Sequence, residues 1–462
     1  MTAQTTGSDG SRTIALPEAS AEATSARHDE QEAPQAAAPS PAAWQPRIIA
    51  FVCRWCTYAG ADLAGTSRLK YPPQIRIVKL PCTGRIDPLF LLRAFRMGAD
   101  GILVSGCHPG DCHYTSGNYV ARRRWILFHD LLDFVGLDRE RVHFSWVSAA
   151  EGGKFVDVVK KVTDAVRAVG PFAGFASAGE SPGSAGSTKG AESGSGPAPH
   201  AGAGPGAEAP APLGDLAPLR SDLETGSVRA ILGFRTSRRA GSLQPTWVTD
   251  PAGLDRLRHA PNPSRSLVVY LVRRLREDPI GSYGIVAGPR DRDALALLAA
   301  EEQIDPARVR VYAEEGIAAD SSKEAWELYD VPGIGRPAAE RWRFWTAQFE
   351  KCLRCNACRE GCPLCSCLRC VADKTRPRWI DSSSTPDGNW VWNITRAFHL
   401  AGRCVDCGGC TEACPVGIPL GALTAHLNRA AEGHFGPRGK GDEPGRSPLV
   451  SFRVEDEAPF IL

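Results

Sequence analysis

Eight of the eleven cysteines between positions 352 and 414 fall into two copies of one pattern. The first copy reads Cys352-Leu-Arg-Cys355-Asn-Ala-Cys358-Arg-Glu-Gly-Cys362-Pro363, and the second Cys404-Val-Asp-Cys407-Gly-Gly-Cys410-Thr-Glu-Ala-Cys414-Pro415. Both are C-x₂-C-x₂-C-x₃-C-P. Soft thiolates this dense on a short loop suit a cubane iron–sulfur cluster. The two-residue gaps let one loop wrap three irons, and the fourth cysteine starts a helix whose growth the proline limits. Where two such runs occur together, the fourth cysteine of each ligates the other cluster. On that rule one 4Fe–4S cluster takes Cys352, Cys355, Cys358 and Cys414, and the second takes Cys404, Cys407, Cys410 and Cys362. A pair of zinc knuckles is the competing reading, but structural zinc favours two separated C-x₂₋₄-C pairs over four-cysteine runs ending in proline.

Two further groups carry the remaining cysteines. Cys365-Ser-Cys367-Leu-Arg-Cys370 lies outside both runs. It is a candidate third metal site, with Asp373 or His399 as the outside ligand, and Cys₃His zinc is chemically acceptable there. The other reading makes one of the three a replacement ligand for a neighbouring cluster and leaves the rest as plain thiols. Near the other end stand Cys53-Arg-Trp-Cys56, Cys82, and Cys107-His-Pro-Gly-Asp-Cys112. Their meaning depends on the elements that carry them.

Those elements alternate. The apolar runs 48–52, 75–80, 101–105 and 142–147 read as strands, with helical stretches at 59–69, 88–97, after 113, and 153–169. A β-α repeat implies an α/β fold with a doubly wound, flavodoxin-like parallel sheet. Cys53/Cys56, Cys82 and Cys107/Cys112 each follow a strand. In a parallel sheet those ends share one edge, where ligand sites form. Five thiols therefore converge, one more than the four a 2Fe–2S cluster takes. A C-x-x-C dithiol at Cys53 and Cys56, or zinc, are the alternatives. His108 and His113 read as loop or solvent hydrogen-bonding groups, and Arg122-Arg123-Arg124 as a solvated helix face, with a docking patch for an acidic partner as the sharper alternative.

The rest divides by composition. Residues 1–46 read as a disordered tail, 47–170 as the first folded domain, and 171–226 as a flexible Gly/Ala/Pro/Ser linker that leaves its flanking domains independent or lets the first reach a partner. Residues 227–345 form a second small α/β domain, with strands at 229–234, 266–271, 283–286 and 309–312 and a helix over 291–303. No phosphate-binding glycine loop or nucleophile elbow occurs in it, so it reads as scaffold. An aromatic helix at 341–350 leads into the C-terminal α-helical dicluster ferredoxin-like domain, 346–432. An apolar helix over 388–402 lies between the two cysteine runs, separating them and excluding water. A short helix at 423–431 precedes a polar tail, 433–462, whose apolar end is available to dock. Lys and Arg total 54 against 52 Asp and Glu, a net charge of +2, so nothing points to nucleic acid. No span is apolar enough for a membrane helix. Without a signal segment, the 16 cysteines read as reduced metal ligands of a cytoplasmic protein.

Cys53-Arg-Trp-Cys56-Thr-Tyr-Ala-Gly-Ala-Asp62, Leu80-Pro-Cys82-Thr-Gly-Arg85 and Gly106-Cys107-His-Pro-Gly-Asp-Cys112-His113-Tyr114, in that order over about 47–170, resemble the delta (iron–sulfur) subunit of methyl-viologen-reducing hydrogenase. That resemblance implies a 2Fe–2S cluster on those cysteines and electron passage between a hydrogenase or formate dehydrogenase and a heterodisulfide reductase-like flavoprotein. The middle region and the run from Cys352 to Leu420 are similar to beta subunits of deazaflavin-reducing hydrogenases and formate dehydrogenases. That group often carries Gly-Cys-Asp after the third strand, where this chain has Ala287-Gly-Pro-Arg-Asp291 and no cysteine. The expectation is an electron-transfer subunit with one 2Fe–2S and two 4Fe–4S clusters, serving as a component of an oxidoreductase complex. A catalytic flavin- or deazaflavin-binding beta-type subunit is the runner-up, and an assembly protein with structural zinc the third reading.

Overall fold

The computed structural model describes residues 44–175, 211–237, 242–260, 265–313, 331–437 and 447–462. The expected N-terminal tail, except its last three residues, and most of the expected linker lie outside the described residues. Four apolar runs form β1 (Ile48–Cys53), β2 (Ile75–Leu80), β3 (Gly101–Gly106) and β4 (Val142–Trp146). All pair in parallel, in the order β2-β1-β3-β4. β3 and β4 are buried along their whole length, as strands covered on both faces must be. The connections are α1 (Thr57–Thr66), α2 (Pro88–Arg96), α3 (Gly117–Phe134) and α4 (Gly152–Val169). α2 begins where the Asp87 carboxylate accepts the Leu89 N–H at 2.9 Å, with Pro88 in the first turn, an N-terminus built from a cap and a preset φ.

The middle region follows α5 (Ala217–Glu224) with β5 (Ile231–Thr236), β6 (Leu243–Val248), β7 (Leu257–Arg258), α6 (Val268–Glu277), β8 (Tyr283–Ala287), α7 (Pro289–Ala300) and β9 (Val309–Ala313). Its sheet is mixed, β6-β5-β8-β9 with β7 beside β5. The expected strand at 266–271 is instead the start of α6. Val268, Leu271, Val272 and Leu275 are its buried residues, a helical spacing that shows only when the run is followed past Leu271. Ser266 anchors that start, accepting the Val268 N–H and donating to buried Asp291 at 2.6 Å. β6 was not expected because Pro245 interrupts it; it is an edge strand, where proline is tolerated.

The C-terminal region is α8 (Ala338–Glu350), α9 (Ala357–Glu360), α10 (Pro386–His399), α11 (Gly409–Glu412) and α12 (Leu420–Phe435). Residues 388–398 of α10 are all buried, the signature of a core helix. Trp390 stacks on Trp342 of α8 with centroids 4.4 Å apart, and Phe175 and Phe349 close on it from two sides. This aromatic seam belongs to a core running without a break from the first sheet through α8, α10 and α12. A second core joins α6 and α7 to Leu364, Leu400 and Val405 and takes in Cys362, Cys365 and Cys407 at its margin. Gln45–Leu462 is thus one compact unit, not the independent modules that a long linker suggests. Among the described residues no helix is long and apolar enough to cross a membrane.

The arginine triplet also differs from expectation. α3 packs between the sheet and α12, so Arg122 and Arg123 are buried and present no solvated face. Both grip the strap 447–462. Arg123 makes a bidentate pair with Asp456 at 2.5 and 3.0 Å, Arg122 donates to the carbonyl of Arg453, and Arg124 donates to that of Leu449. The strap ends with the Leu462 N–H on the Phe144 carbonyl at 3.1 Å, covering the open edge of β4. Asp456 is 7 % exposed. Asp456→Ala leaves two buried guanidinium groups without their carboxylate and is expected to cost about 3–5 kcal/mol in chemical denaturation.

Candidate functional site

Three loops meet at the C-terminal edge of the parallel sheet. Cys53 ends β1 and Cys56 precedes α1, Cys82 follows β2, and Cys107 and Cys112 lie between β3 and α3. All five are buried and pack against one another. They divide into a trio and a pair. The Sγ atoms of Cys53, Cys56 and Cys107 lie within 4.8 Å of one another, with Cys53 and Cys107 3.9 Å apart. Cys82 and Cys112 are 3.7 Å apart. Glycine makes the cradle possible. A Cβ on Gly117 would sit 2.4 Å from the Cys82 sulfur, and one on Gly84 would meet the Gly117 backbone at 2.8 Å.

The electrostatics follow from crowding thiols together. Hydrogen bonds from Cys107 and then Cys56 hold the Cys53 thiol down to about 3 against the opposing effect of burial. Cys107 pulls Cys56 down, but the hydrogen bond and charge of Cys53, together with burial, outweigh it and push Cys56 up to about 12. Burial raises Cys82 to about 11, and hydrogen bonding to Cys53 and Cys56 raises Cys107. Cysteines bind a metal as thiolates, so loading the trio releases the protons it carries.

The nearby histidines are engaged elsewhere. His108 Nε2 pairs with Glu151 at 2.7 Å, and the same carboxylate accepts the Ser148 N–H. His113 stacks on Trp55 at 3.7 Å. Asn118, which carries no signal in the sequence, is buried and donates to the carbonyls of Cys107 and His108. Arg124 donates to the Gly84 carbonyl at 2.8 Å and so ties the Cys82 loop to α3. Neither role shows in the local sequence pattern, because each contact joins separate loops and helices.

The two four-cysteine runs are conformational repeats. Arg354 and Asn356 flank Cys355 at φ of 57° and 61°, and Asp406 and Gly408 flank Cys407 at 50° and 72°. Left-handed residues on both sides of one cysteine turn the backbone tightly around a centre. A one-turn helix follows each, α9 with Cys358 and α11 with Cys410. Cys352, Cys355 and Cys358 line one small cavity together with Cys414 of the other run, under Trp392, Ile418 and Leu420. Burial pushes Cys407 up to about 12, with the charge of adjacent Cys362 adding to it, and burial raises Cys404 and Cys410. Cys414 therefore sits beside the first three cysteines of the first run, and Cys362 beside Cys407 and Cys410 of the second.

The extra triplet does not come together. Cys365 hydrogen-bonds Cys362 and lowers that thiol to about 5, Cys367 is exposed, and Cys370 lies near Arg359. Asp373 pairs with Arg359 at 2.9 Å, and His399 with Asp87 at 3.3 Å. Among the described residues, the triplet forms no group compact enough for a single metal ion.

Residues 48–170 match the family of the methyl-viologen-reducing hydrogenase delta subunit, and residues 348–418 match a 4Fe-4S dicluster domain. The iron-sulfur subunit of the vhc F420-non-reducing hydrogenase of Methanococcus voltae is 52 % identical over 128 residues, which are 28 % of this chain and 89 % of that protein. The chain belongs to the methyl-viologen-reducing hydrogenase delta subunit family. The iron-sulfur subunit of the F420-non-reducing hydrogenase of Archaeoglobus profundus is 48 % identical over 129 residues, 28 % of this chain and 94 % of that protein. A component of the ferredoxin/F420H2-dependent CoB-CoM heterodisulfide reductase of Methanosarcina acetivorans is 42 % identical over 127 residues, 28 % of this chain and 16 % of that protein. The delta-subunit segment ends with α4, so the middle sheet and the dicluster region are additions to it.

The glycine cradle is testable without metal. Gly117→Ala drives a methyl group into the Cys82 sulfur and is expected to destabilise the protein by about 1–3 kcal/mol. Gly153→Ala, on a helix and with nothing within 4 Å, is expected to be neutral or to stabilise by up to about 1 kcal/mol. Thermal denaturation of the two variants side by side checks the contrast.

Proposed function

We propose that this chain is an iron–sulfur electron-transfer subunit of a multi-subunit redox complex, holding one 2Fe–2S and two 4Fe–4S clusters. It relays electrons between a hydrogenase- or formate dehydrogenase-type donor and a heterodisulfide reductase-type flavoprotein. The observation that carries the reading is where thirteen cysteines lie: five at a sheet edge, and eight on α9, α11 and their loops, where Cys414 lines the cavity of Cys352, Cys355 and Cys358, and Cys362 acts on Cys407 and Cys410. Family relatives support the two ends of the relay, since the delta-subunit segment occurs both in hydrogenase iron–sulfur subunits and within a heterodisulfide reductase component.

The residues suit the groups. Cys53, Cys56, Cys82, Cys107 and Cys112 offer five thiols for the four positions of a 2Fe–2S cluster. The trio Cys53, Cys56 and Cys107 supplies three of them, and one of the pair Cys82 and Cys112 the fourth. Cys352, Cys355, Cys358 and Cys414 hold one cubane, and Cys404, Cys407, Cys410 and Cys362 the other. Bound clusters supply one-electron acceptance and release. The protein's part is to desolvate them. Trp392, Ile418 and Leu420 wall the first cubane, and the middle sheet with α6 and α7 closes over the second as a scaffold. Cys365 stands as a spare thiol beside Cys362. Thiolate cluster ligands need a reducing environment, so the reading includes a cytoplasmic setting.

Anaerobic purification with iron and acid-labile sulfide analysis tests the assignment. About ten irons per chain are expected, and EPR of the reduced protein should resolve cubane signals distinct from the 2Fe–2S signal. Zinc without sulfide, or dye reduction with deazaflavin by this chain alone, would overturn it.

A further inference from the structure

α10 delivers Arg396 into the space between the two sets of four cysteines. The residue is 5 % exposed. One terminal nitrogen donates to the Cys358 carbonyl at 2.9 Å, and the guanidinium charge acts on the Cys410 thiol, opposing the effect of burial. Cys362 and Cys365 lie against the same charge. Cys358 belongs to one set, and Cys362 and Cys410 to the other. Arg396 Nε has no hydrogen-bond partner, and the charges that act most strongly on the guanidinium are all cysteines, with no carboxylate among them.

That arrangement is costly as it stands. A guanidinium does not give up its proton in a protein, and a buried charge without a counter-charge is strongly unfavourable. Three of the other buried arginines are provided for. Arg341 has Asp133, Arg123 has Asp456, and Arg141 has the carbonyls of Asp100, Gly170 and Pro171. Arg396 has cysteines of both sets acting on it, and clusters ligated by thiolates are anionic.

We infer that Arg396 is the counter-charge shared by the two 4Fe–4S sites, a positioning residue that holds both reduction potentials up together. The inference rests on the reading of the eight cysteines as two cubane sites. Reducing a cluster adds one negative charge, and a fixed cation within reach favours that state. An electron passing from one cubane to the other leaves the first less negative by the amount the second gains. A cation between them therefore lifts the pair while leaving the driving force between its members nearly unchanged.

Two variants of the full chain separate charge from packing. Arg396→Gln keeps a hydrogen-bond donor and removes the charge, whereas Arg396→Lys keeps the charge. In an EPR-monitored redox titration, both cubanes of the Gln variant should shift about tenfold toward the oxidised form, ~59 mV for one electron, with the Lys variant near wild type. Iron and sulfide are measured on every preparation. A wild-type protein lacking the iron of two cubanes would refute the cysteine assignment itself. A loaded Gln variant with unchanged potentials, or with a shift in one cubane alone, would overturn the shared counter-charge. Iron lost from the Gln variant and retained by the Lys variant would support the need for charge, and iron lost equally from both would reject it.

Discussion

The structure depends on the burial of one helix. α10 has water on neither side over residues 388–398, and each of its faces meets a different part of the protein. Trp390 enters the aromatic seam with Trp342 and Phe175, Trp392 walls the Cys352 cavity, Phe398 packs edge-on against Phe128 of α3, and Arg396 donates to the Cys358 carbonyl. A large aromatic side chain removes roughly 150–250 Å² from water. The seam therefore supplies the apolar drive that seats the polar members of the helix. The two cysteine runs lean on each other, because α9 and α11 are too short to hold their own orientation: α9 packs on α11, and α11 on α12.

The same burial explains why the delta-subunit segment and the dicluster region form one unit. α2 and α3 present apolar faces that an isolated domain would leave wet, and here α8, α10 and α12 cover them. Polar ties specify the fit. Arg341 of α8 donates to the carbonyl and carboxylate of Asp133 at 2.7 and 3.0 Å, and Arg96 of α2 pairs with Asp381. The strap then closes the remaining open edge of the first sheet through Arg122, Arg123 and Arg124. The middle sheet meets the rest of the chain through the second core, with Arg403 forked onto Glu301 at 2.5 and 2.6 Å.

What was readable in the sequence follows the range of the interactions. The four strands of the first sheet are continuous apolar runs, and their periodicity is local, so strands and cysteine-bearing loops fell where expected. The convergence of five thiols followed from parallel topology alone. Their division into three and two did not, because it depends on how Gly117 and Gly84 let α3 approach the Cys82 loop. α6 was misread because Val268 and Val269 favour strands, and the helical spacing emerges only further along. The fate of Arg122–Arg124 was out of reach, since their partners lie more than 300 residues away. Arg396 sat within an expected helix, but periodicity could not distinguish a buried cation from an exposed one.

The two cysteine loops share a backbone and are held by different means. At the position before the second cysteine, the first loop places Arg354 and the second Asp406, both left-handed. An arginine in that region costs about 1–2 kcal/mol that glycine would avoid, so something must hold it there. Its guanidinium lies 5.0 Å over the Trp392 ring and donates to the Asp381 carbonyl at 2.7 Å. The second loop relies on Gly408 and on Asn428, which donates to the Cys404 carbonyl at 2.6 Å and to Asp406 at 3.1 Å. The first loop is therefore braced by aromatic packing and a nearby cation, the second by neutral amide hydrogen bonds from α12. Solvent exclusion and hydrogen bonding to the ligands set the potential of a bound cluster. Two loops of the same shape thus give unlike surroundings to the groups they hold, and that difference is what a relay needs if electrons are to prefer one direction along it.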